Sequence, residues 1–252
     1  MKWTAGQWQK RFLQQAAWTS SLRKYIYAQV GVHPHSRILE VGCGTGALVR
    51  DFDEFDAIFL NGIDIDFYRL AFAAVENPGS PYICADANHL PYADGSFDFV
   101  TCHYFLLWVH DPSAALAEMV RVTQAGGTIL ALAEPDHTAR IDSPDELIPL
   151  GKAQTASLKT QGADPSLGRR LPELFSRAGL RNIQFGASGF QTSISKIPAG
   201  WDLEWQVLEQ DLSGSLQAAE IAHFKDLDNA AWKSGSRVFW VPTFYIYGTK
   251  SP

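Results

Sequence analysis

Cysteine and long apolar runs are both scarce in this chain. Its three cysteines, Cys43, Cys84 and Cys102, have no partner at C-x-x-C spacing, so neither a disulfide framework nor a thiolate metal site is expected. No apolar stretch approaches the roughly 20 residues that cross a bilayer, and the N-terminus lacks the apolar core of a secretory signal. Acids are missing from residues 1–39, which carry Lys2, Lys10, Arg11, Arg23, Lys24 and Arg37. The whole chain has a net charge of −6, which leaves the remainder at −12. An acidic body of this kind argues against nucleic acid as a partner, because phosphate neutralisation needs a broad basic surface. The expectation is a cytoplasmic protein with reduced thiols, no metal and no stable membrane insertion.

What is present fits one α/β domain: 46% hydrophobic and 19% charged residues over 252 positions are ordinary for a globular chain of this class. Trp8, Phe12, Trp18, Leu22, Tyr25 and Ile26 recur at three- and four-residue spacings, which predicts one or two amphipathic helices over 5–30. The acid-free arm has features of a transit peptide or an interfacial helix. Its tryptophans and helical period favour an integral helix. Strands are predicted at 37–41, 58–63, 82–85, 97–102 and 128–133, with helices over 46–54, 67–76 and 112–123 between them. Short apolar strands alternating with helices give a doubly wound parallel sheet. Beyond it, helices near 143–161, 167–178 and 198–233 accompany strands at 181–187 and 238–248. No repeat or low-complexity tract interrupts the chain.

The chemistry concentrates at 38–46, Ile-Leu-Glu-Val-Gly-Cys-Gly-Thr-Gly. A strand that turns at once into a helix needs glycine at Gly42, Gly44 and Gly46, and the helix start then offers backbone N–H groups to a nucleotide-like ligand. Gly42, Gly44 and Ala47 also satisfy the turn of a dinucleotide-binding dehydrogenase. Three acids sit near the ends of successive strands: Glu40, Asp64 and Asp86. Ligands of open α/β sheets bind at that edge. A carboxylate after the second strand suits ribose hydroxyls, and one after the third suits an adenine amino group. Asp86 equally suits a cap on the turn that follows it.

At this point the chain resembles the class I S-adenosylmethionine-dependent methyltransferases, of the small-molecule type related to quinone-biosynthesis enzymes. The matching pieces are 38–46, Gly-Ile-Asp-Ile-Asp at 62–66, the segment 85–100 and Gly-Gly-Thr-Ile-Leu-Ala-Leu-Ala-Glu-Pro at 126–135. The resemblance implies a Rossmann-like seven-stranded sheet of order 3-2-1-4-5-7-6 with the last strand antiparallel, 238–248 being that strand. It implies one domain, with an N-terminal helical lid over 1–35, a cofactor-binding core over 36–136 and a C-terminal half with helical inserts over 137–252.

The implied cofactor is S-adenosyl-L-methionine. Backbone at Gly42, Cys43 and Gly44 would face its methionine portion, with Glu40 and Gly46 also among the cofactor-binding residues. Asp64 would hold the ribose, Ile65 would pack on the adenine, and Asp86 with Ala87 would hold the adenine edge. His103 stands where the family usually places asparagine or serine beside the amino-acid end of the cofactor.

The expected reaction is direct displacement onto a small organic acceptor, governed mainly by orientation, with His103 or Tyr104 as candidate catalytic residues and His110 behind them. Phe105, Trp108, Trp201 and Trp205 are candidates for an apolar pocket wall. A nicotinamide-dependent dehydrogenase and a non-catalytic S-adenosylmethionine-binding protein are the competing readings. Neither the acceptor nor the oligomeric state is encoded in any recognisable motif.

Overall fold

A computed structural model describes residues 3–52, 58–188 and 197–252. The acid-free arm is a single helix, α1 (Ala5–Val30). Thr4 and Gln7 cap its start reciprocally, and Gly31 closes it at φ 78°, where a side chain is disfavoured. The alternating core follows as β1 (Arg37–Val41), β2 (Phe59–Asp64), α2 (Phe67–Glu76), β3 (Tyr82–Cys84), β4 (Phe97–Cys102), α3 (Pro112–Val122) and β5 (Thr123–Pro135). Asp66 and Asp111 cap α2 and α3 through their carboxylates. The C-terminal half adds β6 (Ile141–Ser143), α4 (Ile148–Thr160), α5 (Leu167–Arg177), β7 (Arg181–Ser188), α6 (Trp201–Leu212), α7 (Ala218–Ser234), β8 (Val238–Trp240) and β9 (Thr243–Thr249).

The main sheet runs β3-β2-β1-β4-β5-β9-β7. The first five strands are parallel, and β9 is antiparallel to both its neighbours. Counting only strands of this sheet, the order is the expected 3-2-1-4-5-7-6. Alternate residues of each strand feed opposite cores. Leu39, Val41, Ile63, Val100, Ile129 and Ala131 pack against α3 and α5 on one face. Ile38, Leu60, Phe99, Leu130 and Leu132 face the other, where Ile26 and Tyr27 of α1 cover them. The inserts have a core of their own around Trp201, Trp205, Leu208 and Trp232.

Two expectations need correction. The helix expected over 46–54 is a single 3-10 turn, Val49–Phe52, and residues 53 and 54 lie outside the described residues. Hydrogen bonds here close over three residues (Gly46 N–H to Cys43 O, Val49 to Gly46, Asp51 to Leu48), the tighter geometry of a short connector. The strand expected over 238–248 is two strands. Pro242, which has no N–H to donate, separates β8, paired with β6 in a small second sheet, from β9 in the main one.

One ion pair anchors α1 to this frame. Arg23 donates through Nε and Nη2 to the two carboxylate oxygens of Asp51, at 2.5 and 2.8 Å, with the arginine buried and the aspartate largely so. Its remaining donor, Nη1, bonds the Ala16 carbonyl and Thr19 Oγ1. Removing one partner of such a pair strands the other charge in apolar surroundings. Asp51→Ala is therefore expected to lower the unfolding free energy by about 3–5 kcal/mol, measured by denaturant titration against the unmodified protein.

Candidate active site

The turn after β1 explains its glycines. Gly42, Gly44 and Gly46 have φ of 74°, 54° and 75°, which side chains rarely tolerate. A Cβ at Gly42 would enter the ring of Phe105, and one at Gly44 would lie 2.7 Å from Phe12. The turn's donors are already used. Gly42 and Cys43 N–H both bond Ile63 O, at 2.8 and 3.0 Å, and Gly44 N–H bonds Asp64 Oδ2 at 2.9 Å. The N–H cradle expected from the sequence is therefore absent at these positions. What these three residues have left to offer is their carbonyl oxygens.

The strand ends open into a cavity of about 760 Å³, within the range of roughly 300–1,000 Å³ usual for small-molecule sites. In sheet order its floor presents Asp86 and Ala87 after β3, Asp64 ending β2 with Ile65 after it, Glu40 to Gly44 at the end of β1, His103 to Phe105 after β4, and Pro135 ending β5. This edge is where the strand order reverses between β1 and β4, the switch point at which such sheets bind ligands. Ten of the eleven candidate cofactor and catalytic residues border this one space. Gly46 does not: it sits behind the turn, where a Cβ would press on Tyr82 Oη and Asn77 Nδ2.

The carboxylates there differ sharply. Asp64 accepts from Gly44 N–H through one oxygen and from Asp66 N–H through the other, at 2.9 Å each, with lone pairs left over on both. Asp86 Oδ1 caps the next turn through Asn88, so its capping role is real, and Oδ2 remains. Glu40 is buried with no hydrogen-bonding partner for its carboxyl among the described residues. Burial, and then the neighbouring charge of Asp51, push it up to about 8, so it holds its proton at neutral pH. Ile65 is 74% exposed, a largely bare apolar side chain bordering the opening. Cys43 is buried and its thiol pushed upward by that burial, which makes it inert.

Loop 103–108 is held from below by Glu134. Its carboxylate accepts from the N–H groups of Phe105, Leu106 and Leu107 at 3.0–3.1 Å. Burial lifts it to about 7 against the pull of those donors. Tyr104 sits at φ 50°, a left-handed conformation that costs about 1–3 kcal/mol in a residue with a side chain. Burial raises its phenol to about 12, so at neutral pH it keeps its proton and is not a base. His103 Nε2 lies 2.9 Å from Thr19 Oγ1 of α1. Burial, helped by the charge of Arg23, keeps its imidazole well below the usual range and therefore neutral.

The roof comes from both ends of the chain. Trp8, Phe12, Gln15 and Thr19 of α1 form one helical stripe over the cavity, with Trp3 and Trp18 beside it. The tryptophans of α1 thus line the cavity; they are not buried in the core. Opposite stand Trp201 and Glu204 of α6, and Phe239 and Trp240 of β8. Arg11 and Glu204, both buried, form an ion pair, and Gln14 donates to the Gly200 carbonyl at 2.9 Å. Phe105 and Trp108 border the cavity as expected. Trp205 does not; it is buried in the insert core, donating to Asp228. Sequence reasoning missed Arg11, Glu204 and His137. The first two are 193 positions apart and carry no local signal, and His137 stands alone in a loop.

Among known proteins, a family model described as a methyltransferase domain matches residues 39–131. A demethylmenaquinone methyltransferase of Renibacterium salmoninarum is 36% identical over 119 residues, which cover 47% of this chain and 49% of that protein. A ubiquinone/menaquinone biosynthesis C-methyltransferase of Cupriavidus necator is 32% identical over 116 residues, 44% of this chain and 48% of that protein. The chain thus spans about half the length of the curated relatives it matches. Among solved structures, phosphoethanolamine N-methyltransferase 2 of Haemonchus contortus, in complex with S-adenosyl-L-methionine, aligns over 92% of this chain and 53% of its own, with a TM-score of 0.59 and 14% identity, a likeness of fold. The matched segment 39–131, which contains the glycine turn, Asp64, Asp86 and the loop after β4, is similar to methyltransferase domains, those of quinone biosynthesis among them.

Proposed function

We propose that the protein transfers a methyl group from S-adenosyl-L-methionine to a small, planar, largely apolar organic acceptor. The observation that carries this reading is the direct bond from the glycine turn to Asp64 at the edge of an open cavity. The donor set fits the cofactor. Asp64 keeps lone pairs for two ribose hydroxyls, Ile65 is bare for an adenine face, and Asp86 with Ala87 borders the next position. The unpartnered Glu40 and the carbonyls of Gly42, Cys43 and Gly44 suit an ammonium group. Gly46 contributes by letting the turn form.

When bound, the cofactor supplies a methyl group made electrophilic by a sulfonium. This chain's residues position the acceptor and exclude water, an orientation effect worth several orders of magnitude in rate. His103 and Tyr104, both neutral at pH 7, are assigned to shaping and hydrogen-bonding the transfer site. Neither is configured as a strong general base. Aromatic walls from α1, α6 and β8 support a flat apolar acceptor, and the quinone-type acceptor named in the demethylmenaquinone methyltransferase is of that class. A dehydrogenase would share the turn and Asp64. It accounts for neither Glu40 nor the antiparallel β9.

S-adenosylmethionine and S-adenosylhomocysteine are expected to raise the melting temperature, and NAD and NADP to leave it unchanged. The reverse pattern in a thermal-shift screen refutes the assignment. Asp64→Ala is expected to weaken S-adenosylhomocysteine binding by about 1–3 kcal/mol, the worth of charge-assisted hydrogen bonds, read by titration calorimetry.

Glu40 adds a pH signature. Free Glu40 is protonated below about 8, and a bound ammonium favours its anion. Cofactor binding should therefore release a proton, and affinity should climb with pH toward a limit of about tenfold per unit, levelling above 8. Glu40→Gln should abolish that slope. The sign for folding is opposite: a carboxyl raised from 4.5 stabilises the fold fully below 4.5, and that contribution is lost as pH rises through 8.

A further inference from the structure

His137 borders the same cavity and has no part in the cofactor reading. It begins the short 3-10 turn His137–Ala139 just beyond β5, and its backbone is held on several sides. Its N–H donates to Pro165 O at 2.8 Å, and its carbonyl accepts from Thr155 Oγ1 at 3.2 Å. The preceding Asp136 is buried, caps the turn through the N–H groups of Thr138 and Ala139 at 3.0 and 3.2 Å, and is paired with Arg169. So anchored, the ring has little freedom to turn away.

The two ring nitrogens are in different positions. Nδ1 is enclosed by protein and has no hydrogen-bond partner among the described residues. Nε2 has none among them either, and it is not enclosed in that way, on a residue that lines the cavity. Burial, reinforced by the charges of Arg140 and Arg11, holds the imidazole down to about 3, so it carries a single proton. A buried N–H without an acceptor is the rarer and costlier orphan, compared with a buried lone pair. The proton therefore belongs on Nε2, facing the cavity. Nearby, the guanidinium of Arg140 lies 4.7 Å over the Phe239 ring, whose centroid is 5.3 Å from that of Trp201.

We propose that His137 is an acceptor-binding residue whose Nε2–H donates a hydrogen bond to an oxygen of the molecule to be methylated, while the aromatic walls hold its ring system. The inference rests on the methyl-transfer reading only for the name of that molecule. The polar anchor selects a carbonyl or hydroxyl oxygen over a plain hydrocarbon edge, because a neutral hydrogen bond left unmade in a dry site costs affinity.

The test uses a matched pair of probes, α-tetralone, whose only polar atom is a carbonyl oxygen, and tetralin, which lacks it. Calorimetry on the full chain, with and without saturating S-adenosylhomocysteine, gives the tetralone-to-tetralin affinity ratio. His137→Leu is expected to lower that ratio about three- to tenfold, the span of one neutral hydrogen bond. His137→Gln, which places an amide N–H near the position of Nε2, should restore most of it. In the unmodified protein the His137 Nε2 nitrogen resonance should move on adding tetralone and stay put with tetralin, a readout that needs no variant to fold. An unchanged ratio in His137→Leu, a silent Nε2 resonance, or no measurable tetralone binding would each overturn the proposal. Failure of S-adenosylhomocysteine to bind would instead remove the methyl-transfer reading, and the probe ratio measured without it would still decide the role of His137.

Discussion

Three backbone donors at the exit of β1 hold the functional edge together. Gly42 and Cys43 share the carbonyl of Ile63, and Gly44 reaches the carboxylate of Asp64. These bonds fold the first strand's exit back onto the second strand, so the turn and the ribose-side acid cannot drift apart. Everything else at the edge is placed relative to that junction. Phe105 occupies the space a Gly42 side chain would need, and Phe12 of α1 does the same above Gly44. Glycine here is a packing requirement as well as a conformational one. It lets two aromatic rings from distant elements close on the backbone.

Carboxyl groups do most of the electrostatic work, and their surroundings assign different tasks to chemically similar side chains. Glu134 is enclosed but saturated by three N–H groups, so it acts as a strut under the loop after β4. Glu40 is enclosed and unsatisfied, which leaves it dependent on whatever enters the cavity. Asp51 is committed to Arg23 and holds the roof helix to the floor. The histidines divide in the same way. His103 is engaged by Thr19, whereas the ring of His137 has no partner among the described residues.

How much of this could be read from the residues depended on distance along the chain. Strands β1 to β5 and the acids at their ends lie within one stretch governed by local period and by glycine, so their order and the position of Asp64 were legible. The expected helix after Gly46 failed because apolar spacing does not distinguish an α-helix from a single 3-10 turn. The expected strand over 238–248 failed at Pro242, whose missing N–H outweighs a continuous run of β-forming neighbours. Trp201 and Trp205, both candidates for a pocket wall, both belong to the insert core, and of the two only Trp201 also borders the cavity. At a spacing of four they share one side of α6, and which of them meets open space is decided by the neighbouring helices.

The Arg11–Glu204 contact joins the first helix to one that follows nearly two hundred residues later. During synthesis the sheet's first five strands can assemble while the space above them is still open to the ribosome's surroundings. The roof becomes whole only after α6 and β8 have emerged and α6 has paired with a helix made long before. Competence to enclose a ligand is therefore among the last properties the nascent chain acquires, and an incomplete translation product would display the binding edge without being able to shelter it.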